Sequence, residues 1–313
     1  MTTTPEIAPT PLVFDGVTKL YGPVIGVNNI SCRVAPGVTG LFGANGAGKT
    51  TLIKLASGQL RPSAGTVRVG AHDAWSTAAK RLFGYCPDLN NFYEDMTGRE
   101  FVTFMARLSG LSTREARARA DEAIATVGMS DRALRRMAGG SHGMRQRIKL
   151  AQALVHDPPL MLLDEPFTGI DPGGRHEMHT LLGRLAERGK TILVSTHILA
   201  EVEDLVDSIV LIARGRVLAT GSLGEIRNLL DDRPFTVAVG CDRPRELAAA
   251  LLPAAEVYSI ALARDGMTVR TAQPTRFFAR VGQLAAEHGH DIHRLETLDA
   301  GAEAVFDYLT GAK

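Results

Sequence analysis

The densest chemistry in the chain lies in 43-GANGAGKT-50, where Gly43, Gly48, Lys49 and Thr50 fill the fixed positions of G-x-x-x-x-G-K-[ST]. Glycines let backbone N–H groups turn toward phosphate oxygens, and a following helix adds partial positive charge at its N-terminus. On this pattern Gly43, Ala44, Asn45, Gly46, Ala47, Gly48, Lys49, Thr50 and Thr51 form a nucleotide phosphate cradle. Lys49 would reach the β/γ oxygens and Thr50 would ligate Mg²⁺. A cradle alone hydrolyses nothing. The run 160-LMLL-163 delivers Asp164 and Glu165 to the end of a buried strand, where adjacent carboxylates are costly without a cation. Mg²⁺ supplies that cation, with Asp164 holding it through its water shell and Glu165 accepting a proton from, or orienting, an attacking water. A second glycine-rich stretch, 139-GGSHGMRQR-147, looks like another anion-binding turn ahead of a helix starting at Met144.

These residues need a scaffold of alternating elements. Short β-type runs at 12–22 and 24–37 precede the strand 38–42, the cradle, and a helix over 49–57. Strands are predicted at 65–70 and 82–87. Helices with polar starts and glycine stops follow at 97–110, 112–128 and 130–139, as an inserted helical subdomain. Alternation resumes with a helix at 144–157, strand 160–165, helix 173–188, strand 191–196, helix 198–206, and strands 208–213 and 216–221. Apolar strand, short loop and helix in repetition imply a parallel sheet covered on both faces. Beyond residue 224 the predicted order is strand 235–240, helix 244–252, strands 256–263 and 266–272, helix 275–289 and strand 291–298. That β-α-β-β-α-β order is that of a ferredoxin-like split fold, with a last helix at 301–309.

A chain of 313 residues, 45% hydrophobic, suits one large domain plus a smaller one. With 35 Lys+Arg against 34 Asp+Glu, bulk electrostatics argue against nucleic acid as a partner. The arginines at 132, 135, 136, 145 and 147, with Lys149, read as solvated faces and local anion attraction, His288, His290 and His293 as surface residues, and His176 and His179 as solvent-exposed. Cys32, Cys86 and Cys241 are odd in number and widely spaced, so neither a disulfide framework nor a metal knuckle is on offer, and a reducing cytosol fits. No window approaches the ~18–20 apolar residues of a spanning helix, so a soluble chain is expected, its membrane contact made through a partner.

Over residues 12–222 these motifs, in this order, resemble the ATP-binding-cassette (ABC) ATPases. Tyr21 in 19-KLYG-22 matches the aromatic that stacks on adenine, Asp164-Glu165 the acidic pair with its catalytic glutamate, and 168-TGIDP-172, with Asp171, the D-loop. His197 in 194-VSTH-197 matches the switch histidine that senses the γ-phosphate. The segment 140-GSHGM-144 aligns with the signature Leu-Ser-Gly-Gly-Gln, keeping Ser141 and Gly143 and departing at Gly140, His142 and Met144. Where the family reads Gly-Tyr-x-Pro-Gln, the Q-loop, this chain reads 84-GYCPD-88. Asp88 could still bind Mg²⁺ or water, but it brings a negative charge toward the triphosphate.

The resemblance implies ATP and Mg²⁺ as cofactors and an α/β P-loop NTPase fold, a RecA-like core with an antiparallel β subdomain. That domain would span 11–224, with the helical subdomain at about 91–152, and 225–313 would form a small α+β ferredoxin-like accessory domain. It further implies a head-to-tail homodimer or paralogue heterodimer, in which Ser141, His142, Gly143 and Met144 act on the partner's ATP, and separate integral membrane permease subunits. The chain would then be peripheral, at the cytoplasmic face of the inner membrane. The ending 303-EAVFDYLTG-311 resembles export-type members. The alternatives are a soluble ABC ATPase acting on ribosomes or DNA and a regulatory cassette with weak turnover. One cassette without a long coiled coil argues against the first, and Lys49, Asp164, Glu165 and His197 argue against the second.

Overall fold

The structure, a computed structural model, describes residues 10–88, 92–228 and 234–298, and the helix expected over 301–309 lies outside them. Contacts divide the chain into two compact units, Met1–Ser222 and Leu223–Lys313.

In the first unit, β1 (Leu12–Tyr21), β2 (Val24–Val34), β4 (Ala64–Val69) and the short β5 (His72–Asp73) form an antiparallel sheet in the order β2-β1-β4-β5. A second sheet runs β10-β9-β3-β8-β7-β6, from β3 (Gly37–Phe42), β6 (Phe83–Cys86), β7 (Leu160–Asp164), β8 (Thr191–Thr196), β9 (Ser208–Ala213) and β10 (Arg216–Gly221). All its pairings are parallel except β9–β10, a hairpin. β7 and β8 are buried at every residue, as central parallel strands covered on both faces must be. Helix α1 (Lys49–Ala56) contacts β2 and β4 of one sheet and β7 of the other, placing Leu52, Ile53 and Leu55 in a core shared with Leu12, Ile30, Leu160 and Ile212. A short helix, α2 (Thr77–Lys80), leads into β6.

Helices α3 (Gly98–Leu108) and α4 (Thr113–Thr126) open with reciprocal capping boxes, Thr97 with Glu100 and Ser112 with Glu115, which explains why both start where polar residues announce them. Both pack on α5 (His142–Leu154), which begins two residues earlier than expected because Ser141 is its N-cap. The predicted helix at 130–139 is absent apart from a 3-10 turn at Met137–Gly139. Its backbone is committed elsewhere: Gly98 and Arg99 N–H groups bond the carbonyls of Arg135 and Ala133, and Met137 N–H bonds Met96 O. The predicted helix at 198–206 is likewise reduced to a 3-10 turn, Leu199–Glu201, with tight bonds such as Glu201 N to Ile198 O and Leu205 N to Val202 O. Asp207 then anchors that loop to β3, its N–H on Val38 O and its carboxylate accepting from Val38 N. Helix α6 (Pro172–Glu187) packs on β3 and β8.

Edge strand β6 is covered by side chains of α5 and of the turn that follows it. Going along the strand, His156 Nε2 lies 3.1 Å from Phe83 O, Gln152 Nε2 donates to Tyr85 O at 2.5 Å, and Lys149 Nζ donates to Pro87 O at 2.9 Å. Strand carbonyls of one side recur every second residue, and helix positions three and four apart share a face, so the two periods meet.

The second unit runs α7 (Leu223–Asn228), β11 (Phe235–Cys241), α8 (Pro244–Leu251), β12 (Val257–Ala263), β13 (Gly266–Thr271), α9 (Pro274–His288) and β14 (Ile292–Thr297). Its sheet order is β12-β13-β11-β14, every neighbour antiparallel, so that each of α8 and α9 joins two strands separated by one other. Val237, Val239, Leu247, Leu251, Val269, Phe277 and Val281 form its core. His290 belongs to the buried residues here, with Nδ1 3.8 Å from Asp242, rather than to the surface. Because Phe277 is fully buried in so small a core, Phe277→Ala should cost about 3–5 kcal/mol, read as a lowered urea midpoint for this unit.

Candidate active site

The cradle is built by strain and close approach. Gly48, the N-cap of α1, has φ 112°, a left-handed conformation that side chains resist, and a Cβ on Gly43 would lie 2.3 Å from Ile212 O. Lys49 is buried and folds back, donating to Gly43 O at 2.6 Å and Ala44 O at 3.5 Å, with Nζ 3.3 Å from Glu165 Oε1.

Parallel pairing of β7 and β8 puts Asp164 beside Ser195. Ser195 Oγ donates to Asp164 Oδ1 at 2.6 Å and accepts from Glu165 N–H at 3.0 Å, so one hydroxyl orders both acidic residues. Burial raises the Asp164 carboxyl above its ordinary range, and hydrogen bonds from Ser195 and Thr50 pull it back. Glu165 adopts φ 48°, a left-handed backbone that costs roughly 1–2 kcal/mol outside glycine. Its Oε2 lies 2.9 Å from His197 Nδ1. Lys49, Glu165 and His197 face a cleft of about 450 Å³ that Tyr21, Asn45, Thr50 and Asp88 also line, with Asp164 and Ser195 buried behind it. Tyr21 Oη is 3.5 Å from Thr51 Oγ1, and Tyr21, Val24 and Ile25 stay exposed at the same cleft. Ala44, Gly46, Gly48 and Thr51 belong to the same wall, while Ala47 is buried beneath it.

The signature-like segment is not part of this cleft. Ser141 and His142 are exposed, Ser141 Oγ accepts from Met144 N–H at 3.3 Å, and Met144 is buried. His142 meets the D-loop, since a Cβ on Gly169 would lie 2.8 Å from its Nδ1. Asp171 N-caps α6 by accepting from Gly174 N–H. Arg132, Arg135 and Arg136 are exposed as expected, but Arg145 makes a bidentate pair with Glu94, and Arg147 pairs with Glu177 at 2.6 Å. Lys149 is buried, donating to Pro87 O and Asp88 O, and burial lowers its pKa. His179 is not solvent-exposed either; it stands edge-on to Phe167, centroids 4.9 Å apart, with Nε2 buried. The free thiols of Cys32 and Cys86 are pushed up to about 12 by burial.

Residues 27–168 match the model of the ABC transporter family. The daunorubicin/doxorubicin resistance ATP-binding protein of Streptomyces peucetius is 32% identical over 303 residues, covering 95% of this chain and 91% of that one. The Nod factor export ATP-binding protein I of Paraburkholderia xenovorans is 35% identical over 317 residues, covering 98% of each. A solved ATP-binding subunit of an ABC transporter superposes with a TM-score of 0.64 at 31% identity, covering 70% of this chain and 92% of that chain. The chain belongs to the ABC transporter ATP-binding family. It is accordingly an ATP-binding subunit and an ATP hydrolase.

Ser195, within 194-VSTH-197, has a role here that its place in the motif does not announce. The signal available was a small hydroxyl ending an apolar strand that must lie beside the one ending in Asp164. Ser195→Ala would leave the buried Asp164 short of a donor and should cost about 1–3 kcal/mol, measured by urea unfolding.

Proposed function

We propose that this chain is the ATP-hydrolysing subunit of an exporter, binding Mg²⁺-ATP in the cleft between Tyr21 and His197 and driving a separate membrane permease as a head-to-tail dimer. The observation that carries the reading is the Lys49–Glu165–His197 cluster, 3.3 and 2.9 Å across, at the mouth of the phosphate cradle. A triphosphate entering the cradle competes for the Lys49 ammonium. The Glu165 carboxylate is then free to face water, held by His197 at its other oxygen, which suits a general base. Tyr21, with Val24 and Ile25, offers an exposed apolar surface for the adenine ring.

The residues present fit Mg²⁺. Thr50, Asp164 and Asp88 are all oxygen donors, and buried Asp164 has no cation within ion-pair distance among the described residues. Among those residues no three His, Cys, Asp or Glu side chains form a metal site, so an ion here would have to take its other ligands from phosphate and water. When bound, the ion would neutralise charge on the β/γ-phosphates. Thr50 would ligate it, Asp164 would hold it through water, and Asp88 would reach it from the Q-loop position.

A dimer follows from the outward-facing signature. Ser141, His142 and Gly143 stand apart from the chain's own cleft and would serve ATP held by a second copy or a paralogue, whereas the Met144 side chain, expected to join them, is buried beneath them. The permease would dock on the helical part, about residues 91–152, where Tyr93, Leu108 and Leu134 are 58%, 67% and 71% exposed. Export is supported by the names of the drug-resistance and Nod factor export relatives. No helix of the described residues is long and apolar enough to cross a membrane; beside a permease and using ATP, the chain would lie at the cytoplasmic face of the inner membrane. Residues 11–224 would be the nucleotide-binding domain and 225–313 an accessory domain, ferredoxin-like by its strand order.

Glu165→Gln should keep ATP binding and lower hydrolysis by ~10²-fold or more. Lys49→Ala should instead weaken nucleotide binding, and equilibrium binding beside phosphate release distinguishes the two. Asp88→Gln should move the Mg²⁺ concentration at half-maximal hydrolysis, and an unchanged Mg²⁺ profile would remove Asp88 from the metal site.

A further inference from the structure

We propose that Glu201 is a positioning residue that ties the switch His197 to the helix carrying the D-loop, through Thr196 on one side and Arg175 on the other. The inference rests on the reading of His197 given above.

The turn holding His197 is bracketed by one hydroxyl. Thr196 Oγ1 accepts the N–H of Ile198 at 3.0 Å, so the residues on either side of His197 are joined across it. The same oxygen stands 3.2 Å from Ile198 O and 3.3 Å from Glu201 Oε2, so its one proton is shared between these two acceptors. Glu201 is only 6% exposed, and its other oxygen, Oε1, lies 3.1 Å from Arg175 Nη2. Arg175 sits in the first turn of α6, its N–H on Asp171 O at 2.9 Å, and Asp171 is the D-loop residue that caps the same helix. The route therefore closes on itself. It runs along the chain from Glu165 to Asp171 and Arg175, crosses to Glu201 and Thr196, and returns by His197 Nδ1 to Glu165 Oε2.

Two features make the circuit more than a surface pair. His179, one turn beyond Arg175, stands edge-on to Phe167, which lies two residues after Glu165, so α6 also packs under the catalytic turn. Arg175 is the cation that pairs with Glu201, and burial lowers the pKa of His179 beside it. A buried carboxylate paired at one oxygen and hydrogen-bonded at the other has a defined orientation, because turning it breaks both contacts. In a head-to-tail dimer the D-loop faces the partner, so a shift of α6 on closure would reach His197 by this path.

The test compares Glu201→Gln, which keeps the acceptor for Thr196 and removes the charge for Arg175, with Arg175→Met, Arg175→Lys and the double variant Glu201→Gln/Arg175→Met. His197→Ala serves as the reference. ATP affinity should stay within about twofold of wild type, since the cradle is untouched. Turnover per bound nucleotide should fall about 10- to 100-fold in Glu201→Gln and in Arg175→Met, the size expected for a misplaced group. The double variant should lose no more than either single one, and Arg175→Lys should retain most turnover. Full turnover in both single variants, with His197→Ala impaired, would overturn the inference. So would losses that multiply in the double variant, or ATP affinity that falls in step with turnover. A His197→Ala variant at the wild-type rate would overturn the switch reading, and this inference with it.

Discussion

Two carboxylates at the end of a fully buried strand are the constraint around which the first unit is arranged. β7 is apolar and buried at each residue up to Asp164, so the chain must emerge with Asp164 and Glu165 adjacent and treat them differently. The left-handed turn at Glu165 does this at the backbone: Asp164 stays 1% exposed while Glu165 reaches Lys49 and His197 in the cleft. Ser195 orders both from the neighbouring strand. α1, β7 and β8 therefore cannot be placed independently; each ends where a charge has to be met.

Much of this was legible in the sequence because the signals were local. The cradle, the apolar run before Asp164 and the polar starts at Thr97 and Ser112 are short-range features, and strands and caps formed there. The failures were long-range. The segment 130–139 has helical composition, yet its backbone pairs with residues 94–99, a partner no window of sequence contains. The segment 198–206 reads as a helix, but Thr196, Glu201 and Asp207 each bind backbone or side chains elsewhere and hold it in tight turns. Lys149, His179 and His290 carry polar groups that suggested exposure, and only the packing shows what covers them.

The glycine-rich segment 139–147 looked like a second anion cradle, and its geometry explains how it departs from the signature pattern yet keeps its form. Ser141 holds the first turn of α5 through Met144 N–H, and Met144 is buried, so the apolar residue at the last position belongs to the core. His142 lies against Gly169 of the D-loop, where a flat ring fits beside a residue without a side chain. The Met144 departure is thus absorbed on the inner side of the segment, while Ser141 and His142 stay at the surface.

α5 joins this segment to the other departure, Asp88. Its N-terminus presents Ser141, and two turns later Lys149 donates to the carbonyls of Pro87 and Asp88. An ammonium 3% exposed is costly to bury, and burial does lower its pKa, but Asp88 and Asp164 act in the opposite direction and favour the charged form. The Lys149 ammonium meets Asp88 at its backbone carbonyl, so the segment that carries this aspartate is fastened to the helix that starts at Ser141.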